Sequence, residues 1–243
     1  MHDTARLTGE AFLRLYGTQL GPGRRILEVG SRDVNGTLRP YAGNDVEYVG
    51  VDVEPGPGVD VVLEDPYQLP FPDASFDLVL STSCFEHDPL FWLSFDEMAR
   101  VARIGGFLYV SAPVQGEVHR YPVDCWRFYP DAGIALVVWA GRCGHPLRLV
   151  ESFQLPPRAD QWVDFVAVFE RCRAVAEVRL SDLFPEAQER VSGALDLKEA
   201  NRKLGGREPR RAHAAVARLR EVASRRDQHS PAAETRAVRL ASR

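Results

Sequence analysis

Arg25-Ile26-Leu27-Glu28-Val29-Gly30 and, about twenty residues on, Tyr48-Val49-Gly50-Val51-Asp52 are short apolar runs that each close on a glycine or an acidic residue. Runs of this kind suit strands buried on both faces of a parallel sheet. In an open sheet of that type, ligands bind beyond the carboxyl ends of the strands, where a glycine turn brings backbone N–H groups to the ligand. An acidic residue closing the second strand offers a carboxylate to two ribose hydroxyls. The pair of runs points to a nucleoside cofactor without saying which.

At 243 residues, 45% hydrophobic and 26% charged, the chain can bury one good core and still carry an appendage. No apolar run approaches the ~20 residues of a membrane span, and Met1-His2-Asp3-Thr4-Ala5-Arg6 has no apolar signal region. Cys84, Cys125, Cys143 and Cys172 have neither CxxC spacing nor the density of a disulfide scaffold, so thiols in a reducing cytoplasm are expected. The net charge of −4 is unevenly spread. Residues 201–243 hold twelve Arg or Lys against four acids, a net of +8, which leaves −12 for the first 200. An acidic body argues against broad binding to nucleic-acid phosphates.

Helical spacing of Phe12, Leu13, Leu15, Tyr16 and Leu20 predicts an N-terminal helix over Thr8–Leu20, stopped by Gly21-Pro22-Gly23. Strands are expected at Arg25–Val29, Tyr48–Val53, Val59–Leu63, Phe76–Ser81, Phe107–Ser111, Leu147–Phe153 and Asp164–Phe169. Asp88-Pro89 reads as an N-cap followed by proline in the first turn of a helix that Gly105-Gly106 would end. Pro130–Cys143 reads as a further helix. Strands alternating with helices define an α/β, doubly wound, mostly parallel seven-stranded sheet with helices on both faces. From residue 174 the chain turns to Ala, Arg and Glu, with helical spacing around Glu186–Leu204 and Arg211–Ser224. The expected division is a domain over 1–173 and a helical or disordered Arg-rich extension over 174–243.

Several segments together resemble a known family. They are Glu28-Val-Gly30, Gly50-Val-Asp52, the run Asp65-Pro-Tyr-Gln-Leu-Pro-Phe-Pro-Asp-Ala-Ser-Phe-Asp77, Glu86-His87 and Gly105-Gly106-Phe-Leu. In this order and spacing they look like the class I S-adenosylmethionine-dependent methyltransferases, in particular the small-molecule branch with the ubiquinone/menaquinone enzymes. The resemblance covers roughly residues 22–170. It implies a Rossmann-like fold and S-adenosylmethionine as cofactor. It further implies that Glu28, Gly30, Ser31 and Ser81 lie by the methionine end and that Asp52, with Val53, takes the ribose. Asp65 and Pro66 would receive the adenine. The family's Glu-x-Gly-x-Gly-x-Gly loop would demand glycines at 32 and 34, where this chain has Arg32 and Val34. Arg32 is a candidate partner for the cofactor's carboxylate.

The loop after the fifth strand interleaves aromatic and charged groups, as a site that stacks a ring and binds polar groups would. Arg120, Tyr121, Trp126 and Arg127 are its candidate substrate-binding residues. A hydroxyl acceptor needs a base, and histidine is the side chain best suited near neutral pH. His119 and His87 are the candidates, with Asp124 as a third. His87, Asp88, His119 and Asp124 show no metal-ligand spacing, so no metal is expected. The expected function is methyl transfer to a hydroxyl or amine of a polar small molecule, a sugar or glycosylated metabolite. Methylation of RNA or protein, and cofactor binding without turnover, remain as alternatives.

Overall fold

The computed structural model describes residues 1–172 and 180–192. Its centre is a sheet of eight strands: β1 Arg24–Val29, β2 Val46–Asp52, β3 Val61–Val62, β4 Phe76–Thr82, β5 Ala102–Gln115, β6 Arg148–Leu155, β7 Val163–Glu170 and β8 Gln188–Val191. Their order is β3-β2-β1-β4-β5-β7-β6-β8. The first five pair in parallel, whereas β7 is antiparallel to β5 and β6, and β8 is antiparallel to β6. The sheet is thus one strand larger than expected and reaches beyond residue 173.

Alternation along the strands sends successive side chains to opposite faces, and both faces are covered. On one face Ile26, Leu78, Leu80, Phe107 and Tyr109 pack with Phe12, Leu13 and Tyr16 of helix α1, Asp3–Gly17. On the other, Leu27, Val29, Val79, Leu108 and Val110 pack with Phe95, Met98 and Ala99 of helix α2, Phe91–Val101. Leu136 and Ala140 of helix α3, Ala132–Cys143, join that second cluster. Two-sided burial is why the strands read as continuous apolar runs.

Several expected boundaries shift for identifiable reasons. α1 starts five residues before Thr8 because its first turn is seated through polar groups. Thr4 hydrogen-bonds Asp164, and the Thr8 hydroxyl lies 2.7 Å from that of Tyr109. Hydrophobic spacing cannot register such contacts. α2 begins at Phe91 rather than at Pro89, although the Asp88 carboxylate does accept the Leu90 N–H at 2.9 Å. Gly105-Gly106 does not end that helix. α2 closes at Val101 and the glycines lie inside β5, where the Gly105 N–H donates to the Arg171 carbonyl at 2.7 Å. α3 starts at Ala132, two residues after Pro130. The helical reading of Glu186–Leu204 fails over 186–192, where Gln188–Val191 is strand; residues 193–204 and the Arg211–Ser224 reading lie outside the described residues. Among the described residues no helix is long and apolar enough to cross a membrane.

Candidate functional site

Strand order reverses between β1 and β4, and at such a switch point the chain leaves the two strands toward opposite sides and opens a crevice. Register keeps the strand ends level, with Val29 opposite both Val51 and Ser81, and Thr82 opposite Ser111. Gly30 and Ser31 both donate to the Val51 carbonyl, at 2.9 and 3.1 Å. The Asp52 carboxylate, half-buried at the end of β2, accepts the Arg32 N–H on one oxygen and the Glu54 N–H on the other, both at 3.1 Å. Each oxygen keeps a further lone pair for a ligand.

Gly30 takes φ +78°, and a Cβ there would come within 2.6 Å of the Cys84 Cβ and Sγ. The turn after β1 is thereby pressed against the segment after β4. The irregular glycine loop has a counterpart on the facing chain. A Cβ on Gly50 would stand 2.2 Å from the Gly58 carbonyl oxygen, and one on Gly58 would stand 2.6 Å from that of Ser31. The close backbone approach that Arg32 and Val34 forbid in their own loop is therefore supplied opposite it. The Arg32 guanidinium, a candidate partner for a ligand carboxylate, is paired with the exposed Glu54. Val53 is exposed.

The hydroxyls of Ser31, Thr82 and Ser83 are buried at these strand ends without a hydrogen-bond partner. Buried polar atoms are ordinarily paired, so this set fits a polar ligand entering the crevice. Ser83 also holds φ +49°, a conformation costly for a residue with a side chain and often found at ligand sites. Ser81 is buried beside them. Asp65 is exposed and accepts the Tyr67 N–H at 2.8 Å, which makes it a turn residue, with Pro66 half-buried beside it. The run that follows is a latch. Arg100 of α2 donates to the carbonyls of Leu69 and Phe71 and to the carboxylates of Asp73 and Glu97. Asp77 accepts the Arg25 N–H at 2.8 Å and pairs with Arg103, which aligns β4 beside β1.

The segment after β4 and the loop after β5 are stitched together. The N–H groups of Cys125 and Trp126 donate to the Glu86 carbonyl at 2.7 and 3.2 Å, and the Trp126 indole donates to the Asp88 carbonyl at 2.9 Å. This brings His87 and His119 to a ring separation of 4.9 Å. The His87 Nδ1 lies 2.5 Å from the Val123 carbonyl, and burial lowers the pKa of its ring. His119 Nδ1 lies 3.4 Å from Asp124, whose carboxylate also accepts the His119 backbone N–H at 2.9 Å. Arg127 clamps Asp124 with two hydrogen bonds, which hold that carboxyl well below the usual range. A carboxylate so stabilised orients its neighbour and does not accept the acceptor's proton. Arg127 is accordingly a clasp within the loop, and Arg120 and Tyr121 are exposed. Trp126 does line a cleft of about 560 Å³ with Phe91, Trp92, Arg127, Phe128 and Tyr129.

Three further residues gather around His119 and its neighbour His2; Trp162 and Asp164 were not singled out in the sequence as site residues, whereas Glu86 belongs to the Glu86-His87 pair. Because β7 runs antiparallel to β5, its first residues arrive at the edge where β5 ends. Trp162 stacks on His2 at 4.6 Å and lies 4.8 Å from His119, while buried Asp164 pairs with His2. Glu86 is the third. It is fully buried with neither carboxylate oxygen hydrogen-bonded, and burial pushes its carboxyl up to about 8.

Glu28 is buried and accepts the Tyr48 hydroxyl at 2.7 Å. Burial outweighs this bond and the nearby Arg39, raising its carboxyl to about 7. The folded state therefore prefers the protonated form, and stability is lost as pH rises from the unfolded pKa of about 4.3 toward 7. The cost above pH 7 is at most about 4 kcal/mol. Glu28→Gln, which keeps an acceptor for Tyr48, is expected to raise the melting temperature by several degrees at pH 8 and hardly at pH 5. Equal shifts at both pH values would show that the charge is not the cause.

Residues 26–110 match a family described as a methyltransferase domain. An uncharacterized methyltransferase of Mycobacterium marinum is 34% identical over 159 residues, 60% of this chain and 61% of the relative. A fatty-acid O-methyltransferase of Mycolicibacterium smegmatis is 35% identical over 129 residues, 47% of this chain and 45% of the relative. This chain thus spans about half to three-fifths of the length of these relatives. Among solved structures, 1,6-didemethyltoxoflavin-N1-methyltransferase of Burkholderia thailandensis, bound to 1,6-didemethyltoxoflavin and S-adenosylhomocysteine, superposes with TM-score 0.54. It is 17% identical and covers 70% of this chain and 79% of its own, so it supports the fold alone. The domain match and the relatives make residues 26–110 similar to methyltransferase domains and do not single out the ubiquinone/menaquinone branch.

Proposed function

We propose that this protein transfers a methyl group from S-adenosylmethionine to a heteroatom of a small molecule bound between the crevice and the loop after β5. The observation that carries this reading is the meeting of three strand ends. Asp52, the Gly30 turn and the unpartnered Ser31, Thr82 and Ser83 hydroxyls share one crevice, and the loop bearing His119 borders it. Bound there, the cofactor supplies an electrophilic methyl group on a sulfonium. The chain's own contribution is to hold the acceptor in line with it, since positioning alone removes much of such a barrier.

For a hydroxyl acceptor, His119 takes the proton while Asp124, kept ionised by Arg127, steadies the resulting imidazolium. The cleft beside Trp126 is aromatic-walled with one cation and one acid, Arg127 and Asp131. Such walls accept the face of a sugar ring, in keeping with the glycosylated acceptor expected from the sequence, and also an acyl chain like that of the fatty-acid relative. Purified protein incubated with S-adenosylmethionine and parallel pools of glycosides, fatty acids and phenols should yield a product heavier by one CH2, detected by mass spectrometry. Binding of S-adenosylhomocysteine with no such product from any pool would favour the non-catalytic alternative. Loss of both would remove the reading.

A further inference from the structure

Glu86, His87 and His119 each place one potential ligand atom within 4.8 Å of the others. We propose that these three residues form a divalent transition-metal site, zinc by its donor set, at the edge of the crevice. Two imidazoles and a carboxylate suit zinc and neighbouring first-row ions, and three protein ligands leave a position open for an exchangeable group.

Three observations converge on a cation here. The Glu86 carboxylate is fully buried and neither oxygen has a hydrogen-bond partner; His87 Nε2 stands 3.7 Å from Oε1. A buried carboxylate left in that state carries the full cost of desolvation, which a bound cation would offset. His87 Nδ1 is engaged with the Val123 carbonyl, which leaves Nε2 directed at Glu86. His119 Nδ1 faces Asp124 and the Glu117 carbonyl, at 3.4 Å each. Each ring thus has on Nδ1 a partner of the supporting kind that metal-bound histidines carry. The surroundings are largely acidic, since Asp164 and Asp124 act on Glu86 against Arg127 and the N-terminal ammonium of Met1.

Tetrahedral zinc with bonds of about 2.1 Å sets its ligand atoms about 3.4 Å apart, so ligand atoms as much as 4.8 Å apart must close by about 1.4 Å. His119 sits on a loop and can supply that movement. The site does not depend on methyl transfer, and it changes the role of His119 from base to ligand when the ion is present.

The test uses the full chain without an added histidine tag, stripped with chelator and titrated with cobalt(II) as a spectroscopic stand-in and with zinc in competition. The expected result is one equivalent of cobalt with visible d–d bands, no thiolate charge-transfer band, and displacement by zinc. His119→Ala, on the loop, and Glu86→Gln, which conserves volume, should each weaken binding by at least the ~10- to 100-fold that loss of a mere supporting contact brings. Circular dichroism establishes that both variants are folded. Absence of stoichiometric binding, or unchanged affinity in either folded variant, overturns the site. Neither outcome depends on turnover, so a failed metal site leaves the methyl-transfer reading standing, with His119 as base.

Discussion

Asp52→Ala is expected to weaken S-adenosylhomocysteine binding by at least about 100-fold, since each hydrogen bond to a charged group contributes roughly 1.5–3 kcal/mol and two ribose hydroxyls are at stake. Titration calorimetry on wild type and variant measures it directly. The same carboxylate holds the Arg32 and Glu54 backbones, so a purely structural role must be separated. Asp52→Asn retains one acceptor oxygen and should recover part of the loop's stability while still losing much of the affinity. A variant that melts several degrees lower yet binds as tightly as wild type would make Asp52 a loop post and withdraw it from the cofactor site.

Gly30→Ala carries the second large effect. The left-handed conformation costs a residue with a Cβ about 1–2 kcal/mol, and overpacking adds about 1–3 kcal/mol. Both apply here, because φ is +78° and the new methyl would meet the Cys84 Cβ and Sγ at 2.6 Å. A loss of roughly 2–5 kcal/mol in chemical denaturation follows, together with loss of cofactor affinity as the turns after β1 and β4 are forced apart. Adding Cys84→Gly removes the obstructing atoms and should restore part of that stability, a non-additivity that identifies the contact as the cause. If the double variant is no more stable than the single one, backbone strain alone accounts for the effect.

The sequence was readable where burial is two-sided and local. β1, β2 and β4 announce themselves as apolar runs because helices cover both faces of the sheet. β8 was not readable for the opposite reason. Gln188-Glu189-Arg190-Val191 is an edge strand, polar and exposed but for its last residue, and such charged edges are also how sheets avoid pairing with other chains. Gly105-Gly106 misled because two glycines are a common helix stop, and only the pairing with Arg171 shows them to be part of β5.

Within the candidate site the same division holds. Asp52 and Gly30 could be placed from their positions after apolar runs, since a strand end and a tight turn are written in adjacent residues. Arg32 and Asp124 could not, because pairing with Glu54 and with Arg127 depends on how loops fold back. The part of the Asp65 run around Leu69 and Phe71 is tied to α2 through Arg100, a contact that adjacent residues do not record.

By itself, the sequence determined the layered α/β class, the strands around the switch point and the acid at the end of β2, all properties of short-range pattern. Tertiary structure alone decided what stands around His119. Trp162 reaches it, and Asp164 its neighbour His2, because β7 runs antiparallel to β5, and the Glu86 carboxylate is buried with no hydrogen-bond partner on either oxygen. Burial and antiparallel return bring together residues separated by dozens of positions, and no periodicity along the chain records that meeting.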